Sequence, residues 1–443
     1  MASDRDSVLI LGGGFAGLSC AVALADKGRK VLVLEKKPHL GGRAYSFDEA
    51  GLEIDNGQHL FMGCYRATRR FLRKIGTEHR LDIYRDVVVD YAEAGGKKDR
   101  LDCPSWLPAP LHLAAGLMGL KGVPLRDKTA LFAFDSALKS MAKGEIPDRV
   151  EKMTVRQWLT SLGVSHTFQT RFFDPAAIGI LNDSPTVASA AGFVQALREM
   201  FFTGRESSRF ALAKTGLSEL YTDAAREYIE KRGGRVISTA KAAGLIEEGG
   251  RVRGAVTDMG SRFEAHNTIS TLPPWDLKKL TLPGALRGSW ETLAPAPIVG
   301  ATLKLDRPVM TERFVGLLNT ETHWVFNKTR IHGLTGEGQT IAVVISGAHE
   351  QIGYSPEKIL QTAIRDLCSC LPDFAKAKVL ASKIVKEPFA TLSPIPGSEA
   401  HRPLPGSGMP GFSFAGDWTR TGFPATIESA CVSGERAAEL TPE

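Results

Sequence analysis

Residues 7–47, SVLILGGGFAGLSCAVALADKGRKVLVLEKKPHLGGRAYSF, decide the fold of this 443-residue chain. The apolar runs at 8–11 and 31–34 predict two buried strands, because each is short and bounded by turn residues. Between them, residues 12–17 form a G-x-G-x-x-G turn, and apolar residues at helical spacing follow it. The order strand, glycine turn, helix, strand predicts an α/β fold with a Rossmann-like dinucleotide-binding unit.

Each residue type in this turn has a physical role. Gly12 allows the sharp turn, Gly14 lets the backbone approach a pyrophosphate, and Gly17 lets the helix pack closely on the strand. Glu35 ends the second strand, where a carboxylate accepts hydrogen bonds from ribose hydroxyls and disfavours a 2′-phosphate. A glycine-rich turn in another kind of α/β unit is the alternative. The candidate dinucleotide-binding residues here are Gly12, Gly14, Phe15, Ala16, Gly17, Glu35 and Lys36.

The C-terminal stretch 414–434, FAGDWTRTGFPATIESACVSG, points to the same kind of ligand. A short strand ends at Gly416 and Asp417, and a helix begins near Ala425. The carboxylate accepts hydrogen bonds from hydroxyls, while the helix N-terminus offers N–H donors and partial positive charge. A dinucleotide with a hydroxylated chain and an electron-rich ring would use both.

Composition limits the class of protein. Hydrophobic residues make up 43% and charged residues 23%, the balance of a globular protein, and the length predicts two domains. The net charge of +6 is too small and too dispersed to indicate nucleic-acid binding. It agrees with an ordinary soluble surface or with contact to an anionic membrane surface.

Residues 1–11 pass from a polar start directly into a strand, so no signal peptide is expected. Six scattered cysteines without a C-x-x-C pair predict reduced thiols and no metal site. Prolines and a lysine interrupt the longest apolar stretch, 104–124, so no spanning helix is expected. We therefore predict a cytoplasmic protein, with peripheral attachment to the inner face of the plasma membrane as the alternative.

Gly41, Gly42 and Arg43 follow Glu35 closely, and this extension resembles the FAD-binding amine oxidase and phytoene desaturase superfamily. The resemblance implies FAD, bound by a Rossmann-like domain interleaved with a substrate domain of helices and a sheet. It implies that Gly42 and Arg43 line the channel of the diphosphate and flavin, and that the polar turn at 55–59 lies beside the flavin ring.

The same resemblance assigns further residues. The strand around Val236 would return the chain to the nucleotide domain, Asp417 would hold the ribityl chain, and the helix after 425–427 would point at the flavin pyrimidine edge. The additional FAD-binding residues predicted in this way are Gly42, Arg43, Gly57, Gln58, His59, Val236, Gly416, Asp417, Ala425, Thr426 and Ile427. The predicted domain segments are 1–79, 226–274 and 396–443 for FAD, 80–225 for the helical substrate domain and 275–395 for its sheet.

Within the superfamily, three segments resemble the hydroxysqualene dehydroxylase family: 55–72 (DNGQHLFMGCYRATRRFL), 172–185 (FFDPAAIGILNDSP) and 415–434. The resemblance implies reduction of hydroxysqualene to squalene in bacterial squalene and hopanoid biosynthesis. It implies an apolar isoprenoid substrate and an electron donor that the sequence does not identify. Loss of the allylic hydroxyl would need a proton donor, after which the allylic cation would accept hydride.

Asp174 and His59 are the candidate catalytic residues. Asp174 precedes a proline in an aromatic and aliphatic stretch, where burial would raise its pKa; a helix N-cap is the alternative role. His59 lies in the turn expected beside the flavin, and a structural role is its alternative. The apolar stretch 104–124 predicts either a membrane-docking face or a buried part of the substrate domain.

Two other functions remain open from the sequence. A carotenoid-type desaturase or an amine oxidase would use the same scaffold with hydride flowing in the opposite direction. A non-enzymatic escort protein for isoprenoids would share the architecture, but such proteins have a degraded nucleotide fingerprint, whereas this one is intact.

Overall fold

The computed structural model describes residues 7–49, 51–142 and 144–442. In chain order its strands are β1 (Ser7–Leu11), β2 (Lys30–Leu34), β3 (Ser46–Glu49), β4 (Leu52–Asp55), β5 (Phe61–Met62), β6 (Leu81–Ile83), β7 (Val87–Glu93), β8 (Lys97–Cys103), β9 (Phe210–Ala213), β10 (Arg235–Ile237), β11 (Ala242–Glu248), β12 (Arg251–Thr257), β13 (Arg262–Glu264), β14 (Asn267–Ser270), β15 (Pro295–Leu305), β16 (Phe314–Leu317), β17 (Trp324–Asn327), β18 (Gln339–Ser346), β19 (Val379–Leu392) and β20 (Phe412–Phe414). Its helices are α1 (Phe15–Asp26), α2 (Arg66–Lys74), α3 (Leu111–Gly119), α4 (Ala130–Ser140), α5 (Asp148–Glu151), α6 (Val155–Ser161), α7 (His166–Phe168), α8 (Asp174–Leu181), α9 (Ala190–Phe201), α10 (Leu217–Glu230), α11 (Pro274–Leu277), α12 (Lys328–His332), α13 (Pro356–Cys370) and α14 (Ile427–Glu439).

A five-stranded parallel sheet, ordered β10-β2-β1-β14-β20, carries the glycine turn. Val8 and Ile10 of β1 face a core shared with α1, α2, α10 and α14. Leu9 and Leu11 face the other core, which includes residues of the β11-β12-β13 meander. Since both faces are covered, the apolar run at 8–11 forms a central strand. The predicted mixed α/β fold is confirmed.

A second, seven-stranded sheet is ordered β19-β15-β18-β17-β16-β7-β8, and only its β16–β7 pair is parallel. Ala301 and Leu303 of β15 pack with α13 on one face. On the other face, residues of β7, β17 and β18 share a core with the helices between α3 and α9. This arrangement places a helical layer and a sheet opposite the nucleotide unit.

Some elements cross the predicted segment boundaries. The largely helical region predicted at 80–225 also contributes β7 and β8 to the seven-stranded sheet. The boundary predicted between 225 and 226 falls inside α10, which buries Leu217, Tyr221 and Ile229 in the core beside α1. The chain therefore enters the nucleotide unit before the predicted boundary.

Within the described ranges, no helix combines the length and the apolar character needed to span a bilayer. The same residues contain no group of three or more His, Cys, Asp or Glu side chains arranged to hold a metal ion. All six cysteines are free thiols, and only Cys368 is exposed.

Candidate active site

The glycine turn brings β1 and α1 into close backbone contact. Gly12 has φ of +108°, a conformation that L side chains rarely adopt. A Cβ atom on Gly17 would lie 1.9 Å from the carbonyl oxygen of Gly12, so only glycine fits there. Gly14 is the N-cap of α1 and supplies no side-chain cap, which leaves the N–H groups of the first helical turn for another acceptor.

A second glycine, Gly42, lies against this turn. A Cβ atom on Gly42 would be 3.2 Å from the Cα of Gly14, so two backbones meet without side chains between them. The buried carboxylate of Glu35 accepts hydrogen bonds from the Gly13 N–H at 2.8 Å and the Lys37 N–H at 2.9 Å. Glu35 is thus fixed beside the glycine turn, as the ribose-binding role requires.

Three further residues predicted to bind FAD are Phe15, Lys36 and Val236, and their side chains have different surroundings. Phe15 stacks on Tyr221, with ring centroids 3.8 Å apart, so its side chain supports α1 while its backbone starts the helix. Val236 lies in β10 and pairs with Val33 of β2. Lys36 points away from the glycine turn and donates to Asp276 at 2.6 Å; only its backbone lies beside Glu35.

An ion pair joins the N-terminal and C-terminal motifs. Arg43 Nη2 lies 2.5 Å from Asp417 Oδ1, and Asp417 is largely buried. The Arg43 guanidinium also donates to the carbonyl oxygen of Ala390 at the end of β19. Two residues predicted to bind FAD from opposite ends of the sequence therefore meet, together with one strand of the seven-stranded sheet.

Arg402, which the sequence analysis missed, holds the turn that follows Asp417. Its buried guanidinium donates to four backbone carbonyls of that turn, those of Asp417, Trp418, Thr419 and Phe423. It also pairs with Glu399 at 2.7 Å. Arg402 stands in an aperiodic loop without a motif, so no sequence pattern signals this role.

The turn ends in α14, whose N-cap is Thr426. Its side chain accepts from the Ser429 N–H at 3.2 Å, and Gly416 precedes the turn with φ of +127°. Glu428, in the first turn of α14, accepts hydrogen bonds from Ala67 and Thr68 at the start of α2. The helix predicted to face the flavin is thus fixed to the segment that follows the 55–59 turn.

The 55–59 turn rests on a buried ion pair that the sequence analysis also missed. Lys328 Nζ donates to Asp55 Oδ2 and to the Glu53 carbonyl oxygen, each at 3.0 Å, and only 2% of its side chain is exposed. Burial raises the pKa of Asp55, but Lys328 and Ser46 outweigh it, so the pKa lies below its ordinary value. Asp55 is therefore a carboxylate held by a cation at the start of α12.

A small cavity lies in front of this pair. The 55–58 turn and Lys328 bound it on one side, and side chains of β15, β18 and β19 bound it on the other. Gln58 Oε1 is buried there without a hydrogen-bond partner among the described residues, which leaves an acceptor for a ligand N–H or a water.

His59 follows Gln58 in this turn. Burial lowers its pKa to about 4, a fall that Arg43 reinforces and Asp55 opposes. The imidazole is neutral at pH 7, so it can donate or accept a hydrogen bond but is a weak source of protons.

Asp174 has a different environment. It lies at the start of α8 directly after a π-helical turn, Gln169–Phe173, and its backbone is helical, so it is not an N-cap. Arg156 donates to Asp174 Oδ2 at 2.6 Å, while Oδ1 is buried without a partner. Burial raises the pKa of Asp174 more than Arg156 lowers it. No hydrogen bond or ion pair in the described chain joins Asp174 to His59.

Asp174 lies on a helix that also approaches the seven-stranded sheet. Ile178 is four residues further along α8 and shares its helical face with Asp174. Gly179 is exposed, yet a Cβ atom there would lie 3.5 Å from the indole nitrogen of Trp324 on β17. Partly buried apolar side chains pack against the core that contains α8, including Leu60, Ile180, Phe210 and Ile298.

The residues present fit FAD. The glycine backbones of Gly12, Gly14 and Gly42 leave room beside an uncapped helix N-terminus, which suits a diphosphate. Glu35 suits ribose hydroxyls, and Gln58 supplies an unpartnered acceptor near the predicted ring position.

Comparisons with known proteins agree with this geometry. The family described as flavin containing amine oxidoreductase matches residues 15–441. Hydroxysqualene dehydroxylase from Sinorhizobium fredii is 29% identical over 456 residues, which cover 98% of each chain. The 15-cis-phytoene desaturase of Solanum lycopersicum is 25% identical over 460 residues, which cover 98% of this chain and 77% of that protein. The solved structure of putrescine oxidase bound to putrescine has a TM-score of 0.77 at 16% identity and covers 98% of both chains.

Proposed function

The chain belongs to the flavin-containing amine oxidoreductase family and uses FAD, and we propose that it reduces hydroxysqualene to squalene. The similarity to the hydroxysqualene dehydroxylase of Sinorhizobium fredii, which covers nearly the full length of both chains, supports this reaction. The predicted FAD-binding residues and the two candidate catalytic residues belong to this proposal.

The observation that carries the proposal is the environment of Asp174. Reductive removal of a hydroxyl needs a proton donor, whereas desaturation of a hydrocarbon does not. Burial raises the pKa of Asp174, and its Oδ1 atom is buried without a partner. A carboxyl group of this kind holds its proton more readily than an exposed one, which favours the role of an acid toward a polar group of the substrate.

In the proposed reaction, Asp174 gives its proton to the allylic hydroxyl, and the carbon–oxygen bond breaks to release water. Arg156 then stabilises the carboxylate that remains. Apolar side chains around the substrate would keep water from the allylic cation, and neutral His59 would help orient the substrate. FAD, held by the glycine turn, Glu35 and Asp417, would supply the hydride in its reduced form, and a proton from solvent would restore the acid.

An anaerobic single turnover tests this function. The bound flavin is reduced chemically, hydroxysqualene is added in detergent, and flavin absorbance and squalene are followed together. We expect one squalene for each flavin that is reoxidised. Reduced flavin that persists with hydroxysqualene present, at full substrate occupancy, would contradict the proposal.

A phytoene-type desaturase is the second candidate, favoured by the similarity to 15-cis-phytoene desaturase. In that case the oxidised protein would be bleached by phytoene or squalene without added reductant. Bleaching by an amine would instead indicate an amine oxidase. A colourless protein that binds isoprenoids would indicate an escort protein.

A further inference from the structure

Exposed apolar side chains concentrate in one segment of the surface. Of thirteen large hydrophobic residues that are exposed among the described residues, five lie within 106–132. They are Trp106, Leu111, Met118, Leu125 and Phe132. Single exposed apolar residues are ordinary on a protein surface, but a concentration of this kind indicates an interaction site. We call it the 106–132 surface.

The helix at its centre, α3, is apolar on both sides. Its inner face buries Leu113 and Leu117 against the sheet, where Gly116 lies close to Cys103 of β8. Its outer face exposes Leu111 and Met118, with Ala114 between them, and the helix contains no charged residue. A helix that is apolar all round is expected to be covered on both faces. Nothing in the described chain covers the outer one.

Two polar contacts fix this surface. Lys128 Nζ donates to the carbonyl oxygens of Met118 and Leu120, each at 2.6 Å, and so caps the C-terminus of α3. Asp99 of β8 accepts from the backbone N–H groups of Lys121 and Gly122. The exposed apolar side chains are therefore presented on an ordered scaffold.

Cations border the apolar side chains. Lys121 is exposed directly after α3, and the Arg126 side chain is 88% exposed next to Leu125. The acidic neighbour Asp127 is mostly buried, where it accepts from Ser165 and lies 3.6 Å from Arg126. Lys121 and Arg126 together leave a small positive excess at the rim, and Trp106 adds the side chain that best suits a boundary between water and hydrocarbon.

We propose that the 106–132 surface docks on a lipid bilayer that contains anionic headgroups. The apolar side chains would enter the acyl boundary, while Lys121 and Arg126 would pair with lipid phosphates. The choice of a bilayer over another protein rests in part on the proposed function, because a C30 isoprenoid resides in membranes. The positive rim supports the same choice independently of the substrate.

Vesicle flotation with the flavin-loaded protein tests this proposal without any turnover. The vesicles contain phosphatidylcholine alone or with phosphatidylglycerol. We expect the wild-type protein to float, more strongly with phosphatidylglycerol and less strongly at high salt. The variant W106S/L125S/F132S should lose about a hundredfold or more of its partition coefficient. The matched control M259S/L404S, which removes exposed apolar side chains elsewhere, should float like the wild type.

Charge reversal supplies a second test that leaves the apolar side chains in place. K121E/R126E should lose roughly tenfold or more on phosphatidylglycerol vesicles and should not change on phosphatidylcholine. K376E, at an exposed lysine on another part of the surface, is its control. If the triple variant does not fold, as judged by flavin content and melting temperature, the charge variants decide the outcome.

Three results would overturn the proposal. The wild-type protein does not float, or a folded triple variant floats as well as the wild type. In the third, the wild type is a dimer, the triple variant is a monomer, and neither protein binds vesicles. The last result would assign the surface to a second copy of this chain. Normal flotation without conversion of hydroxysqualene would instead reject the proposed function and leave the docking surface intact.

Discussion

The glycine turn at 12–17 and the helical region at 104–201 are both proposed to contact ligands, yet they are built in opposite ways. The turn presents backbone, and its side chains are absent or point into the core. The helical region presents side chains, such as Asp174 on α8 and the exposed apolar residues of the 106–132 surface. The glycine turn depends on the absence of side chains, and the helical region depends on the side chains that it carries.

This difference decides how each region responds to substitution. An added atom on Gly17 meets the backbone of Gly12, which cannot give way. A changed side chain in the helical region meets other side chains, which can repack. We therefore expect large structural losses from small changes in the turn, and functional losses with little structural cost in the helical region.

The largest effect is expected from Gly17→Ala. Its Cβ atom would lie 1.9 Å from the Gly12 carbonyl oxygen, so α1 must move away from β1. We expect loss of bound flavin and about 3 kcal/mol or more of stability, measured by flavin absorbance and chemical unfolding. Gly284→Ala, where no other atom lies within 4 Å, is the control. Full flavin content in Gly17→Ala would contradict the expectation that small changes in the turn cause large structural losses.

Lys328→Met should cost about 3–5 kcal/mol, because Asp55 would remain buried without its cation. Lys383→Met, which removes an exposed partner of Glu49, should cost less than about 1 kcal/mol. Since the folded pKa of Asp55 is lowered, its pair stabilises the fold above pH ~4 and loses this effect as the pH falls through the folded pKa. The difference between the wild type and Lys328→Met should therefore narrow in acid, which unfolding at several pH values would measure.

Asp174→Asn should slow single-turnover squalene formation by about 10²–10⁴-fold, because the acid is removed. Flavin content and melting temperature should stay near the wild-type values, as expected for a side chain in the helical region. In the wild type the rate should fall as the pH rises through the raised pKa of Asp174. Asp148→Asn, at an exposed carboxyl in α5, is the control. Unchanged turnover in Asp174→Asn would remove it from the acid role.

Asp417→Ala should weaken FAD binding roughly tenfold to a hundredfold. The substitution removes the proposed ribityl contact and leaves Arg43 without its carboxylate. Calorimetric titration of the deflavinated protein with FAD would measure the loss, with Asp258→Ala at an exposed site as the control. If the variant bound FAD with wild-type affinity, the Asp417 carboxylate would only stabilise the turn and would not contact FAD.

His59→Gln is expected to have the smallest effect. Burial lowers the pKa of His59 to about 4, so the unfolded chain binds the extra proton first as the pH falls below ~6.5. The wild type should therefore lose roughly 2–3 kcal/mol between pH 6.5 and 4 that the variant retains. If the free energy of unfolding changed equally with pH in the two proteins across this range, the burial of the imidazole would be contradicted.

The sequence was informative where backbone geometry imposes a residue type. Gly12 and Gly17 could be predicted because no other residue fits their positions, and Glu35 because it ends a recognisable strand. Lys328 and Arg402 could not be predicted, for different reasons. Lys328 lies 273 positions from Asp55 in the sequence, and no local pattern encodes their contact. Arg402 stands in an aperiodic loop and binds the backbone of a nearby turn.

The five-stranded sheet takes its first strand from 7–11 and its last from 412–414. On a ribosome that adds about 5–20 residues per second, β20 emerges roughly 20–80 s after β1. During that interval α1 lacks α14, the helix that packs against it at Gly434 in the finished protein. Its apolar surface is then open to chaperones and to other nascent chains. With the proposed FAD site, loading would come in the last part of synthesis, because Asp417 and the start of α14 are made last.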